Sequence, residues 1–412
     1  MPFLESFLAA LMELLRAIDV GKIQEMMGQH FTVKVEYLQM VEQLSLTFKE
    51  ITANDKYKVN QEGLFNFLLP YLKTVFELCE LFDERRDMSR HEACCTITVN
   101  LVACFRNLTH STSFKESLVD IKFIEFLFQM ALRFPQIKEL LFNILRILSK
   151  TSTSETFCDS VSKSKPHLDQ LIELMVTFRE NNFVIMRAAY ILANLTAYQE
   201  DVAAYVYFND KGAILACFEH FMSKSNDEDD YYESMIKSFA EFDFLNQDDK
   251  KVLNKIIRLM ANMFTVEEPA VHFIKERFTQ YKQLLKKLKY FMTEKDLLNN
   301  SELLISVLNC ISNILYFDKP NMTQNDFELS SLKQELTSAV AYITLQPKDE
   351  EILTEGLRVM SNLSRNKNGV KCLLKLKFHD AVQILLKHRS RDAVFYSIGI
   401  LINLTVDKVG LD

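Results

Sequence analysis

The pentapeptide Leu192-Ala193-Asn194-Leu195-Thr196 decides the fold, because close copies of it recur along the chain. We call it the repeat motif and its third residue the motif centre. The other copies also have an apolar residue two positions before the centre and another directly after it. Their centres are Asn107, Ile147, Asn262, Asn313, Asn362 and Asn403. Successive centres are 40 to 51 residues apart, except for one step of 68. A period of about 40–50 residues with helical patterning is typical of a solenoid of two- or three-helix repeats.

Length and composition agree with this interpretation. A chain of 412 residues exceeds the ~250–300 residues at which a single core stops growing. A solenoid avoids that limit because each repeat packs only on its neighbours. Glycine is scarce, with 8 residues in the chain against a usual ~7%. This scarcity argues against glycine-rich phosphate loops and tight β-hairpins, and we expect an all-helical chain.

Net charge and cysteine content limit the expected partners and the cellular compartment. The net charge of −7 and pI near 5.8 give no global signature of nucleic-acid binding, so neither nucleic acid nor membrane is an expected partner. The eight cysteines contain no CxxC pair, which indicates free thiols in a reducing compartment. Glu5, Glu13 and Arg16 interrupt the apolar start of the chain, which therefore predicts neither a signal peptide nor a membrane span. We expect a cytoplasmic protein.

The spacing also predicts the domain organisation. Residues 1–60 form a helical N-terminal cap or a degenerate repeat, and residues 63–412 form the repeat array. Each repeat is expected to be a helix pair ending in the motif, over 63–110, 114–150, 153–198, 199–266, 269–317, 325–366 and 369–407. The long step coincides with an acidic insertion at about 223–250. The chain stops soon after its last motif without a polar capping repeat, so we expect a longer protein or an end that is buried on another protein.

These motifs resemble the armadillo-repeat family over roughly residues 63–407. In that family the third helix carries L-x-N-L-[ST], and the second opens with Gly-Ala/Val-Ile/Leu, as at Gly212-Ala213-Ile214. The resemblance implies an all-α, right-handed α-solenoid whose asparagines line a concave groove and bond the backbone of extended peptides. Within the family, the degenerate repeats look most like ciliary and axonemal members. The chain lacks the tryptophans that nuclear-import adaptors place four residues before the motif centre, which argues against a nuclear-localisation receptor.

The predicted partner-binding groove combines the motif asparagines with arginines four residues before two of the centres. Side chains four apart share a helix face, so each pair would present a cation beside an amide. The predicted site is Asn107, Asn194, Arg258, Asn262, Asn313, Arg358, Asn362 and Asn403. The alternative is that each asparagine bonds the neighbouring helix and only holds repeat to repeat. Ile147 breaks the series, which argues against a continuous peptide track.

One cluster suggests a metal site. His91 shares a helix face with Cys94 or Cys95, and Cys104 lies nearby in the sequence. Thiolates and imidazole suit Zn²⁺. However, only three candidate ligands are local and their flanks have a core-like pattern, so we interpret these cysteines as buried thiols. We predict no metal and no cofactor. No HExxH, GxSxG or GK[ST] motif occurs, and no nucleophile–base pair is evident, so we predict neither an enzyme nor a small-molecule substrate.

The sequence therefore predicts a non-catalytic scaffold or adaptor that binds one or more proteins as an extended segment or a helix in the groove, in cilium or axoneme assembly or transport. Two alternatives remain. One is a regulatory subunit that modulates a GTPase or a kinase through the acidic insertion. The other is a membrane or RNA binder that uses a basic amphipathic helix between Lys275 and Lys289.

Overall fold

The computed structural model describes residues 10, 12–13, 35–54, 60–109, 121–223, 247–294, 298–319, 326–347 and 349–406. Nineteen helices and no strand lie within these residues, which confirms the all-α prediction. The amphipathic stretch at 3–19 lies almost entirely outside the described residues. The chain divides into two compact units, residues 1–170 and 171–412.

The first unit contains a row of packed helices, two of which carry the repeat motif. Its helices are α1 (Val35–Ala53), α2 (Gln61–Glu84), α3 (Met88–Leu108), α4 (Ile121–Arg133), α5 (Lys138–Thr151) and α6 (Glu155–Ser162). Helix α3 packs against α1, α2 and α5. The row in this unit is therefore α1, α3 and α5. The boundary between the two units falls within α7 (Lys165–Thr177).

The second unit contains a longer row of the same kind. Its helices are α8 (Asn182–Tyr198), α9 (Glu200–Asn209), α10 (Ala213–Ser223), α11 (Gln247–Met263), α12 (Glu267–Glu276), α13 (Phe278–Phe291), α14 (Ser301–Phe317), α15 (Phe327–Leu345), α16 (Glu350–Leu363), α17 (Lys367–Lys375), α18 (Phe378–Leu385) and α19 (Arg391–Val406). Helices α8, α11, α14, α16 and α19 pack in that order, each against the next. Each carries one copy of the motif, as expected for an armadillo-type α-solenoid.

Local sequence explains where these helices begin and why they are buried. Asn181 accepts hydrogen bonds from the backbone of Phe183 and Val184, and Asp349 accepts one from Ile352 at 2.8 Å. Such caps contribute about 1 kcal/mol each by satisfying donors in the first helical turn. The leucines of the repeat motif, such as Leu192 and Leu195, are fully buried. The apolar positions of the motif therefore form the core between successive row helices.

The prediction of helix pairs was wrong for at least four of the seven repeats. Within the described residues, repeats 153–198, 199–266, 269–317 and 369–407 each contain three helices, because a short additional helix opens the repeat. In the sequence, Asp210-Lys211-Gly212 and Asn368-Gly369 each indicate the end of one helix and the start of the next. The first of these predicted turns is confirmed. Asp210 accepts hydrogen bonds from the backbone of Gly212 and Ile214, and Gly212 has φ 83°, a conformation that glycine adopts without strain.

A second predicted turn was placed incorrectly. The sequence prediction ended a helix at Asn368-Gly369, but α17 begins at Lys367 and continues through both residues. Asn366 caps this helix by accepting from the backbone of Asn368. A Cβ at Gly369 would overlap the carbonyl of Leu363. This glycine therefore permits close approach between α16 and α17 and does not terminate a helix.

Candidate protein-binding face

The amide nitrogens of five motif asparagines join their row helix to the preceding one. In the second unit Nδ2 donates to the carbonyl one residue before the preceding motif centre. These bonds run from Asn262 to Ala193 (2.7 Å), from Asn313 to Ala261 (2.8 Å), from Asn362 to Ser312 (3.0 Å) and from Asn403 to Ser361 (3.1 Å). A carbonyl has two lone pairs, so it can accept this bond beside its own helical one. The amide nitrogens therefore hold repeat to repeat, as the alternative interpretation of the sequence proposed.

The first unit shows the same bond in the same register. Asn107 Nδ2 donates to the Lys49 carbonyl at 3.3 Å and to Thr52 Oγ1 at 3.2 Å. Asn403 likewise contacts the carbonyl of Ser361 and the hydroxyl three residues later, on Ser364. By this register Glu50 occupies the motif centre of α1. The Asn107 bonds thus join α3 to α1 as the Asn403 bonds join α19 to α16.

Arginines cover the amide oxygen at two motif centres of the second unit. Arg358 donates from Nη2 to Asn313 Oδ1 at 2.6 Å and from Nε to Ser312 Oγ at 2.8 Å. Arg258 donates from Nη2 to Asn194 Oδ1 at 3.1 Å, and its guanidinium lies 5.7 Å from the ring centroid of Tyr190. Each arginine lies four residues before the next motif centre. We call Asn313 with Arg358 the sealed segment, because both ends of this amide are bonded within the chain.

The sealing arginine also has an acidic neighbour. The Arg358 guanidinium lies 3.2 Å from Glu355, one turn earlier on α16. Burial raises the pKa of the Glu355 carboxyl above its usual range, and the nearby Arg358 opposes this shift. The guanidinium thus compensates a partly buried carboxylate as well as covering Asn313. In the first unit Arg106 has a similar role, since it donates to Oδ1 of both Asn107 and Asn143.

The seal is missing at Asn362, where the residue four before the next motif centre is Gly399. Asn362 donates from Nδ2 to Ser312, but no group among the described residues donates to its Oδ1. A groove of about 500 Å³ lies here between α14, α16 and α19, and Asn313 and Arg358 of the sealed segment also line it. Exposed apolar residues line it: Tyr316 (59% exposed), Phe395 (68%), Ile398 (46%) and Ile402 (54%). We call Tyr316, Asn362, Phe395, Ile398, Gly399 and Ile402 the open groove.

The residues of the predicted site fall into two groups, according to whether an arginine bonds the amide oxygen. Asn107, Asn194 and Asn313 have amide oxygens that accept from arginine, and Arg258 and Arg358 use guanidinium nitrogens in those bonds. Within the described part of the chain, Asn262, Asn362 and Asn403 lack this arginine cover. Sequence reasoning identified the asparagines but missed the exposed apolar side chains of α19. The available signal was Gly399, the only glycine among the residues four before a motif centre.

The predicted basic helix between Lys275 and Lys289 was wrong as a single element. Helix α12 ends at Glu276 and α13 begins at Phe278, with Arg277 between them. Several lysines of α13 also pair with acids: Lys282 lies 2.6 Å from Glu328, Lys287 lies 3.4 Å from Glu219, and Lys289 pairs with Glu335. These contacts reduce the positive surface on which the polyanion alternative depends.

The other two predicted features have different outcomes. Most of the acidic insertion, residues 224–246, lies outside the described residues, whereas Gln247–Lys250 belong to α11 instead of the insertion. Of the cysteines interpreted as buried thiols, Cys94 and Cys104 are fully buried, whereas Cys95 is partly exposed and, with His91, meets Cys79 of α2. Across the described ranges, no helix has the length and apolar character needed to cross a bilayer.

Comparisons with known proteins agree with the repeat architecture. No family model matches the chain. It is 24% identical over 343 residues to mouse armadillo repeat-containing protein 2, covering 80% of this chain and 38% of that protein. The bovine protein of the same name is 23% identical over 375 residues, covering 88% of this chain and 40% of that protein. The chain thus spans about two fifths of the length of these curated relatives.

A solved structure supports the fold alone. The crystal structure of an engineered protein matches with a TM-score of 0.57 at 13% identity, covering 90% of this chain and 78% of that one. The relatives carry armadillo repeats by name, and both units of this chain stack motif helices joined by asparagine. The chain therefore has the fold of an armadillo-type α-solenoid and is similar to armadillo repeat-containing protein 2.

Proposed function

We propose that this protein is a non-catalytic scaffold or adaptor whose open groove binds a segment of a partner protein. One observation carries the proposal. Where Gly399 takes the place of an arginine, the amide oxygen of Asn362 has no donor among the described residues and lies beside four exposed apolar side chains. The sealed segment one repeat earlier shows that the same fold can cover such an oxygen when a long basic side chain is present.

The apolar side chains supply the surface that a partner would bury. Ile398 and Ile402 are four residues apart on α19, so they lie on one helix face, and Phe395 is three residues before Ile398. Tyr316 adds an aromatic ring from α14. Monomeric proteins seldom expose large contiguous apolar patches, and patches rimmed by polar groups mark interaction sites. Burial of an aromatic side chain is also the usual origin of a binding hot spot.

The amide oxygen of Asn362 determines which polar group a partner must supply. An amide oxygen only accepts hydrogen bonds, so its partner must supply an N–H or O–H group. An extended protein segment offers backbone N–H groups between side chains that alternate in direction. We infer that the occupant is an extended segment that places one apolar or aromatic side chain against Phe395 and donates a backbone N–H to Asn362.

The cellular setting that we propose is assembly or transport in the cilium or axoneme, from a cytoplasmic pool. This part of the proposal rests on the resemblance of the degenerate repeats to ciliary members of the family. A fluorescent fusion of the full chain in ciliated cells provides the measurement. Enrichment at the axoneme or ciliary base supports this setting, and uniform exclusion from the cilium and its base contradicts it.

The groove is tested by proximity labelling with the full chain and matched variants. Phe395→Ser removes the most exposed aromatic side chain of the groove, and Gly399→Arg introduces the missing basic side chain. Phe327→Ser is the control, because Phe327 is 89% exposed in the same unit but lies on α15, outside the groove. We expect both groove variants to reduce partner labelling by at least about fivefold, as for the loss of one hot spot. Unchanged labelling in both groove variants would contradict the assignment.

A further inference from the structure

Two thiols and an imidazole converge between α2 and α3 in the first unit. Arg86, in the turn between these helices, has φ 57°, and α3 returns along α2 so that Cys95 lies against Cys79. The two Sγ atoms are 3.4 Å apart, and Cys95 Sγ is 3.4 Å from His91 Nε2. All three potential ligand atoms lie within 4.8 Å of one another. His91 and Cys95 are four residues apart and share a face of α3.

The second contact of His91 determines its tautomer. Nδ1 lies 3.0 Å from the backbone carbonyl of Cys79. A carbonyl oxygen can only accept, so Nδ1 carries the proton and Nε2 presents its lone pair toward the two sulfurs. Histidines that bind metals are usually oriented in this way, with the second ring nitrogen donating to a carbonyl or a carboxylate. The imidazole is therefore already in the tautomer that a ligand requires.

Two of the three ligand-atom separations are close to those of a tetrahedral zinc site. With Zn–S bonds of about 2.3 Å and Zn–N bonds of about 2.05 Å, two sulfurs in such a site are about 3.8 Å apart, and a sulfur and a nitrogen are about 3.6 Å apart. Here the Cys79–Cys95 and Cys95–His91 separations are both 3.4 Å. The third separation, between Cys79 and His91, is within 4.8 Å, so side-chain movements would bring all three atoms to the ion. Cys95 is partly exposed, which gives an ion a route to the otherwise buried Cys79.

We propose that Cys79, His91 and Cys95 bind one Zn²⁺ ion, with water as the fourth ligand. On binding, each thiol forms an S–Zn bond and releases its proton to solvent, while His91 coordinates through Nε2 without losing a proton. Two thiolates neutralise the 2+ charge, so the partly buried site acquires no net charge. The ion would join the C-terminal half of α2 to the N-terminal half of α3. It would thereby stabilise this helix hairpin at the N-terminal part of the repeat array.

The proposal is tested on the full chain after reduction and removal of bound metal by a chelator. Zn²⁺ is then titrated against a chromophoric competitor, and Co²⁺ is used as a spectroscopic probe of the ligands. We expect one equivalent of Zn²⁺ to bind and Co²⁺ to give sulfur charge-transfer and tetrahedral d–d absorption. Zn²⁺ should also raise the thermal unfolding midpoint, since it binds a site that the unfolded chain lacks.

Variants assign the ligands. Cys95→Ser changes a partly exposed residue, and we expect it to fold and to lose zinc affinity by more than about 100-fold, beyond the 10–100-fold typical of changes to residues that only orient a ligand. Cys94→Ser is the control, because it alters the adjacent thiol, which lies outside the cluster. Absence of binding by the reduced wild-type chain would overturn the proposal. So would equal loss of affinity in both variants, or a Cys79–Cys95 disulfide in a chain that binds no Zn²⁺ once reduced.

Discussion

The sealed segment and the open groove are consecutive positions in one row of helices. Asn313 and Arg358 also line the groove, but the amide oxygens of Asn313 and Asn362 are covered differently. Asn313 and Asn362 donate the same bond from Nδ2 to the preceding row helix, at 2.8 Å and 3.0 Å. They differ in the residue that the next row helix places beside the amide oxygen. Arg358 covers the oxygen of Asn313, whereas Gly399 leaves the oxygen of Asn362 uncovered. The donor end of each amide therefore serves the fold, and the residue four before the next motif centre decides whether the acceptor end is available.

The presence or absence of this arginine gives the two asparagine positions different expected roles, one in stability and one in partner binding. Where arginine is present, the amide belongs to a network that includes Ser312 and Glu355. Where glycine is present, the space is lined by exposed apolar side chains. Substitutions in the sealed segment should therefore change mainly the free energy of unfolding, and substitutions in the open groove should change mainly partner binding.

The largest expected effect is on the sealed segment itself. Arg358→Met removes charged hydrogen bonds to Asn313 and Ser312 and the cation beside Glu355, so we expect the free energy of unfolding to fall by about 2–3 kcal/mol. Urea denaturation measures this change. Arg389→Met is the control, because Arg389 pairs with Glu350 at an exposed site, where such pairs contribute at most about 1 kcal/mol. Equal losses in the two variants would contradict the network.

The same variant gives a prediction on pH. The pKa of Glu355 in the folded state is raised, chiefly by burial, so its protonated form favours folding. Its contribution is therefore greatest at low pH and is lost as pH rises through the folded-state pKa. Loss of Arg358 raises that pKa further. We expect the penalty of Arg358→Met to be largest near neutral pH and to shrink on acidification. A pH-independent penalty, measured by urea denaturation, would show that Glu355 is not involved.

A smaller effect should distinguish the two asparagines. Asn313→Ala breaks bonds at both ends of the amide and leaves Arg358 without one acceptor, whereas Asn362→Ala breaks only the bonds made by Nδ2. We expect losses of about 2 kcal/mol and about 1 kcal/mol respectively. A double-mutant cycle between Asn313 and Arg358 should give a coupling energy of at least about 0.5 kcal/mol. Additivity of the two substitutions would remove the basis for calling this segment sealed.

The smallest effect concerns glycines in row helices. Gly399→Ala places a Cβ 2.9 Å from Ser361 Oγ, the mobile end of a side chain that can rotate away. Alanine favours a helix over glycine by about 0.5–1 kcal/mol, so we expect a small gain in stability. Gly356→Ala is the comparison, because its Cβ would overlap Thr344 Oγ1, which is buried and bonded to Val340. We expect Gly356→Ala to lose stability, and thermal melts of both variants provide the measurement.

Much of the fold could be predicted because the repeat motif carries its own physical signature. Its apolar positions recur at fixed offsets, and Thr or Ser lies two residues after the centre in five of the seven copies, so the row helices were predictable from the sequence. The additional short helices were missed because a helix of only two or three turns has little periodicity of its own. The interruption at Arg277 was missed for a related reason: the apolar and basic spacing of α12 continues in phase into α13.

The sequence by itself determined an all-helical armadillo-type chain and the positions of its motif asparagines. Only the tertiary structure decided what those asparagines do, because each hydrogen bond joins residues about 40 to 70 positions apart. The packing of row helices aligns Asn313 with Arg358 and Asn362 with Gly399, and it brings Cys79 to His91 and Cys95. Local periodicity records which face of a helix is buried, but not which residue of another repeat that face meets.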